Sequence, residues 1–391
     1  MRSTKRKSAW VDNLSEVKYL PSELWPDILH KLPVKTLLKF RCVCKSWCSI
    51  IDSSNFISMH FKLYYNNYAR NHVLSREWHP RVGSKFSIHR TDTFCKIDYL
   101  FKIPQSYLLG GSCNGLILME NREKPNEMIL WNPSIRKSLI LPPCPVLGHK
   151  LYCLGFTPSN NDYKVFVFCG KEVGKMMLTA VYSLNNQLWR VQTPNPGIAQ
   201  NLGLSRKSWS GHGNGYVICG GAMYWIVSDP HKTDSQVCFK LGTHLVSFDF
   251  EVEEFSFKQL SDAMKDSIVM FVFLFGESVG VFTMSFESNC IWVLEKDGGE
   301  DPWRLWFSGK PDVNASKLLE PYSSAFSKII YVQKSKTFLI NTTGFTVSYN
   351  IASHKIQRLG KSFRGQASLD TYVESLVLHK GFPGQTLTSF P

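Results

Sequence analysis

No stretch of this 391-residue chain is apolar for long enough to cross a bilayer as a helix. The longest run, Ile268 to Phe275, falls far short of the roughly 20 residues a spanning helix needs. The first residues are polar and charged, without the apolar core of a signal peptide, so the chain is expected in the cytosol or nucleus. Paired cysteines are lacking too. The 11 cysteines are odd in number and include no C-x-x-C pair, which excludes complete internal pairing and a local zinc ribbon. Reduced thiols fit better, and neither a metal nor a cofactor is expected. The motifs H-E-x-x-H and G-x-S-x-G are absent. The glycine-rich run Gly211 to Gly215 lacks a Lys-Ser/Thr ending and a following helix, so it reads as a turn. Glu253 and Glu254 fall in a hairpin turn and read as solvated acids. No catalytic constellation emerges, and an enzyme is not expected.

Charge is scarce for a disordered chain, at 19% of residues against 43% hydrophobic and 13% aromatic. The balance is globular, and the aromatic share favours strands. What charge there is leans basic, +14 from 45 basic and 31 acidic residues. Such a surface attracts nucleic acid, anionic membrane or an acidic protein alike. No RNP-like, zinc-finger or glycine-arginine motif accompanies it, so neither a specific nucleic-acid partner nor a membrane is expected. Arg2, Lys5, Arg6 and Lys7 cluster in a segment, 1–17, that reads as a disordered basic tail.

From Leu20 to about Lys62 the apolar spacing is helical. Leu20, Leu24 and Ile28 recur every fourth residue, and Leu29 and Leu32 widen the stripe. Pro26 fits only a first turn, so this helix should begin near Ser22 or Glu23 and end before Pro33. A second stretch runs from Pro33 to Ile51 and a third from Asn55 to about Tyr65. Three short helices make a core so small that a partner or a neighbouring domain is needed to cover its remaining apolar face.

Beyond residue 70 the texture is all-β: short alternating runs separated by Asn, Gly, Pro, Asp and Ser. One hairpin recurs, a strand ending on an aromatic or apolar residue, a polar turn and a returning strand. Aligning Ile88, Trp131, Tyr182, Phe248, Trp292 and Tyr349 gives steps of 43, 51, 66, 44 and 57 residues. Their mean is close to the period of about 50 found in kelch blades. With a further strand or two between copies, the pattern reads as a six-bladed kelch-like β-propeller behind a small α domain. The irregular steps leave five blades, seven blades or a distorted sandwich open beside it.

The helical segment, residues 20–61, resembles an F-box in Leu20-Pro21, Ile28-Leu29, Leu32-Pro33, Leu37-Leu38, Arg41-Cys42-Val43-Cys44-Lys45 and Trp47. The remainder resembles the plant F-box-associated, or F-box/kelch-repeat, domain in SCNGLI, LWNPSIRKSLILP, LGFTPSNNDYKVFVF, ICGGAMYWI and YVESLVL. The kelch double glycine is clear only at Gly220-Gly221, so the chain is not a kelch array by sequence. The resemblance implies a tail at 1–17, an F-box at 18–63, a propeller-like domain at 64–380 and a C-terminal tail at 381–391. It further implies a non-catalytic substrate-recognition subunit of an SCF ubiquitin ligase. Contacts to a SKP-type adaptor, and through it to cullin and RING subunits, are then expected at Leu20, Pro21, Leu24, Ile28, Leu29, Leu32, Pro33 and Leu37. Leu38, Val43 and Trp47 are expected in the core, while Lys35, Lys39, Arg41 and Lys45 suit an acidic adaptor. Target contacts are expected on loops 195–213, which carry Arg206 and Trp209, and 228–236. The alternative is a propeller scaffold or sugar-binding interaction protein outside any ligase.

Overall fold

The computed structural model describes residues 21–68, 72–79, 83–103, 107–121, 123–124, 126–146, 150–169, 178–193, 215–227, 244–264, 267, 269–295, 302–310, 329–341, 346–359, 367–377 and 388–389. The basic segment 1–17, Leu20, Arg206 and Trp209 therefore lie outside the described residues.

A 3-10 turn at Ser22–Leu24 leads into helix α1 (Trp25–Leu29), with Pro26 in the first turn, where its missing N–H costs nothing. The stretch read as one second helix is two, α2 (Val34–Phe40) and α3 (Lys45–Ile51). They part at 41–44 because Cys44 turns extended (φ −156) and its Sγ accepts the N–H of Trp47. Arg41 clamps the pair by donating Nε and Nη2 to the Asp52 carboxylate at 2.6 and 2.8 Å. With α4 (Ser54–Tyr68) the unit holds four α-helices rather than the expected three, packed around Leu29, Val34, Leu37, Ile51 and Phe56.

Behind the helices stand strands β1 (His72–His79), β2 (Gly83–Arg90) and β3 (Lys96–Ile103). Then come β4 (Tyr107–Cys113), β5 (Leu116–Asn121), β6 (Met128–Asn132) and β7 (Lys137–Ile140). The next four are β8 (Lys150–Thr157), β9 (Asp162–Cys169), β10 (Leu178–Ser183) and β11 (Leu188–Gln192). They are followed by β12 (Val217–Cys219), β13 (Ala222–Val227), β14 (His244–Asp249) and β15 (Phe255–Gln259). Another four are β16 (Val269–Phe275), β17 (Ser278–Met284), β18 (Asn289–Leu294) and β19 (Trp303–Gly309). Last are β20 (Ile329–Val332), β21 (Thr337–Asn341), β22 (Thr346–Asn350), β23 (Lys355–Leu359), β24 (Ala367–Thr371) and β25 (Thr388–Ser389).

These strands form six antiparallel sheets, each following chain order from an inner to an outer strand. The exception closes the ring. β24, near the C-terminus, supplies the inner strand of the first blade by pairing with β1, Val73 opposite Thr371. Every neighbouring pair of blades shares its own apolar cluster. Phe86 packs with Trp131 between the first and second blades, and Leu130 with Val165 between the second and third. Phe166 meets Phe248, Ile226 meets Val281, Phe273 meets Phe338, and Ile330 meets Leu369 around the rest of the circle. Six such seams make a closed six-bladed propeller, the architecture expected from the repeat. Two residues of the expected C-terminal tail, Thr388 and Ser389, pair with the outer strand β7.

The recurrent hairpin is the third-to-fourth-strand turn of each blade, and in four blades its chemistry repeats. A buried aromatic at Trp131, Tyr182, Phe248 or Tyr349 is followed by a short polar residue, Asn132, Ser183, Asp249 or Asn350. That polar side chain accepts a backbone N–H two or three residues on, from Ser134, Asn186, Glu251 or Ala352. Five residues after the aromatic the chain passes through the left-handed region at Arg136, Gln187, Glu253 or His354. The first blade spaces this differently, with Phe94 (φ 52) six residues after Ile88. In the fifth blade Ile291, not Trp292, is fully buried, and opposite them Trp306 bulges from β19.

Glu253 departs from its expected solvated state. It is buried, and its carboxylate accepts Lys164 Nζ at 2.8 Å, with Arg190 and Gln192 also donating to it. Lys164 is equally buried and also donates to the Phe250 carbonyl. The network ties the third blade to the fourth. Glu254, its neighbour, is exposed as expected.

The C-terminal segment 372–377 joins the ring to the helical unit. Buried Asn132 donates Nδ2 to the Ser375 carbonyl (3.0 Å), Ser375 Oγ (3.1 Å) and the Val377 carbonyl (2.7 Å). Ser134 Oγ meets the Tyr372 hydroxyl at 3.0 Å and accepts the Ser375 N–H. The tight β4–β5 turn, Asn114 (φ 51) and Gly115 (φ 79), presses against the same segment. A Cβ on Gly115 would stand 2.6 Å from the Val373 carbonyl, so only glycine fits. Leu376, held between these bonds, is a buried member of the helical core, with Ile135 of the β6–β7 turn packed beside it. Asn132→Ala should therefore cost about 1–3 kcal/mol for the stranded partners. Amide exchange in 372–377 should speed up with it. Unchanged exchange there would show that Asn132 does not hold the clasp.

Candidate functional site

Two faces of the ring are distinct. Antiparallel order puts the first-to-second and third-to-fourth turns of every blade on one face and the second-to-third turns on the other. The helical unit occupies the first face, since it packs on Ile135 and Leu376, and Phe61 lines the same cavity as the inner turns at Gly220 and Gly276.

On the helical unit the expected contact residues divide. Pro21, Leu24, Ile28 and Pro33 are exposed, and Leu32 is half-buried. Leu24, ending the 3-10 turn, and Ile28 of α1 are both exposed apolar side chains, 45% and 39% exposed. Leu29 and Leu37 are corrections. Both are 0% exposed and belong to the unit's own core, so they support the surface from beneath rather than forming it. Leu38 and Trp47 pack partly buried against that core, as expected, with Trp47 rings 5.1 Å from both Trp25 and Phe40. Val43 is the opposite case, 62% exposed in the turn after α2. Met59 and Leu63, one turn apart on α4, are also exposed. They belong to the third stretch, Asn55 to about Tyr65, whose apolar spacing is helical in the sequence. Of the basic residues, Lys35, Lys39 and Lys45 are exposed, whereas Arg41 has its charge engaged by Asp52.

The core beneath this surface contains two histidines. His30 stacks on Phe56 at 4.2 Å between ring centres, and His60 Nε2 lies 2.9 Å from the Leu32 carbonyl. Burial lowers the pKa of each from the ordinary 6.5, although Asp27 opposes it at His30 and the Leu32 hydrogen bond opposes it at His60. The folded unit thus favours neutral imidazoles while the unfolded chain takes up protons first. The stability is present above the ordinary value and is lost as pH falls through the lowered one. Amide exchange in α1 and α4, corrected for its intrinsic pH dependence, should be faster at about pH 5.5 than at about pH 7.5. His30→Gln with His60→Gln should shrink that difference, and an undiminished difference would place its source elsewhere.

Loops 195–213 and 228–236, with Arg206 and Trp209, lie outside the described residues. The strands β13 and β14 that flank the second loop end and begin on the face away from the helices. Phe286, in the β17–β18 turn of that same face, is 85% exposed. Among the described residues no three His, Cys, Asp or Glu side chains converge as a metal site would require.

Two family models match the sequence. One, described as an F-box domain, covers residues 19–59, and the other, an F-box associated beta propeller domain, covers 49–378. An F-box/kelch-repeat protein of Arabidopsis thaliana is 22% identical over 378 residues, which cover 92% of this chain and 95% of that protein. The F-box protein CPR1 of Arabidopsis thaliana is 23% identical over 381 residues, 92% of this chain and 89% of it. Among solved structures, a chain of the nidogen/laminin complex is similar over 78% of this chain and 99% of its own. It has a TM-score of 0.45 and 8% identity.

Proposed function

This chain belongs to the F-box proteins that carry an F-box associated beta propeller domain, and from that premise we propose that its helices bind a SKP-type adaptor while its ring selects a protein target for ubiquitination. The pairing of these two domains, with full-length F-box relatives, supports a substrate-receptor role in an SCF ubiquitin ligase. In this reading the chain contributes binding surfaces and no catalytic group, and ubiquitin transfer belongs to the other subunits.

The observation that carries the adaptor assignment is the exposed Leu24 and Ile28 pair on a unit whose own core is already filled. Apolar side chains of this size gain by being covered, and nothing within the described chain covers them. Pro21, Leu32 and Pro33 extend the proposed contact, with Leu20 adjoining it in sequence. Exposed Lys35, Lys39 and Lys45 would speed encounter with an acidic adaptor. For the target we propose the face away from the helices, with Phe286 joining Arg206 and Trp209 as contact residues. The deciding experiment is co-purification of the full chain with a plant SKP-type adaptor and cullin. Recovery of both is expected, and a chain that retains neither would overturn the ligase reading in favour of a free-standing propeller.

A further inference from the structure

The axis of the ring holds a cavity of 330 Å³ on the face beneath the helices. Every inner strand contributes to its wall: Cys113 of β4, Phe156 of β8, Ile218 of β12, Leu274 of β16, Ile330 of β20 and Thr371 of β24. Phe61 of α4 lines it as well, so an occupant would touch the ring and the helical unit together. The volume falls at the lower end of the range for small-molecule sites.

Its chemistry is selective. The chain has 45 basic and 31 acidic residues, yet among the described residues no Lys, Arg, Asp, Glu or His lines the cavity. An ionised ligand would lose its hydration there without gaining a counter-charge, which is costly. The wall is mostly carbon, punctuated by the amides of Asn114 and Gln333 and by hydroxyl residues, Thr91, Ser112, Thr371, Tyr216 and Tyr331, of which Tyr216 already donates to the Gly110 carbonyl. Ser112 Oγ is already donated to the Thr371 carbonyl, and Asn114 Nδ2 to the Tyr163 hydroxyl. Two turns, β12–β13 and β16–β17, leave the space open through glycine. A Cβ built on Gly220, Gly221 or Gly276 meets nothing within 4 Å, so peptide groups rather than side chains border the cavity at those points.

We propose that this axial cavity binds a small, uncharged, largely apolar molecule bearing one or two hydrogen-bonding groups, held between the ring and α4. The site is separate from the proposed adaptor surface and does not depend on it. Binding there is coupled to the placement of the helical unit through Phe61.

The test uses the full chain and the neutral fluorophore 2-naphthol. Saturable binding is expected with a Kd of about 10–100 µM, in keeping with a ligand of its size. Cys113 and Cys219 line the cavity half-buried, whereas Cys95 is exposed outside it. The bound probe should slow N-ethylmaleimide labelling of the first two several-fold and leave Cys95 unchanged. Ile218→Trp places an indole in the cavity and should weaken binding at least tenfold. Where that variant does not fold, labelling of the unaltered chain decides the matter. The charged analogue 2-naphthoate should bind at least tenfold more weakly than 2-naphthol. Absent saturation, unprotected Cys113 and Cys219, or equal binding of 2-naphthoate would each overturn the proposal and leave a cavity that holds only water.

Discussion

Replacing Leu24 and Ile28 together by lysine is expected to cut affinity for a SKP-type adaptor about 100-fold or more while leaving the chain folded. Both side chains are more than a third exposed and neither belongs to the helical core, so the free chain loses little. Surface changes of this kind usually move stability by no more than about 0.5 kcal/mol. Binding is another matter. A fully enclosed leucine or isoleucine contributes roughly 1.5–3 kcal/mol, and about half of that is still available to a partner at these two sites. Two ammonium groups placed against an apolar surface add a desolvation cost, for a sum of about 3 kcal/mol, or two orders of magnitude. The comparison that gives this result its meaning is Leu29→Ala. Leu29 is fully enclosed, so its truncation costs about 2–5 kcal/mol of folding and weakens binding by unfolding the helices. Co-purification combined with amide exchange separates the two. Lost binding with native exchange in α2 and α3 is expected for the lysine pair, and undiminished binding in that pair would sink the assignment of this surface.

The distinction between Ile28 and Leu29 was not legible in the sequence, and the reason is length. A stripe at three- and four-residue spacing assigns a face only when several turns share one axis. Here a 3-10 turn hands over to a helix of five residues, and the phase shifts between them. The ring was legible where its chemistry is local. A buried aromatic, a short polar cap and a left-handed residue lie within six positions, so Trp131, Tyr182, Phe248 and Tyr349 could be aligned directly. Ile88 and Trp292 fall outside that alignment, since the left-handed Phe94 stands six positions after Ile88 and Ile291 rather than Trp292 is the fully buried residue. The closure of β24 on β1 was invisible for a different reason. Its register, Leu74 against Asp370, joins the two ends of the ring and has no local signature at all.

Glu253 is the clearest case of a residue that only the fold explains, and it carries the largest stability prediction. In sequence it sits in Glu-Val-Glu-Glu, a turn that looks bound for water. Its partners come from the preceding blade, Lys164 lying 89 positions away, and together they bury the carboxylate. Glu253→Ala would leave the Lys164 ammonium enclosed, donating to the Phe250 carbonyl but without the Glu253 counter-charge. Breaking a buried pair from one side costs about 3–5 kcal/mol, because the stranded charge remains desolvated. For a ring of this size that corresponds to a fall in Tm of about 5–10 °C. Backbone strain does not confound the comparison with alanine. The position is left-handed (φ 60), and alanine bears the same Cβ penalty as glutamate. Glu253→Asn, which tolerates that conformation, should still lose most of the stability because it lacks the charge. Lys164→Met should cost less, since Glu253 would keep Arg190, a side chain that reaches it from solvent. A double-mutant cycle of Lys164→Met with Glu253→Ala should then recover part of the loss, as removing both charges removes the stranded one. A fall in Tm below about 2 °C for Glu253→Ala would mean that water reaches Lys164 and that the pair contributes no more than an exposed one.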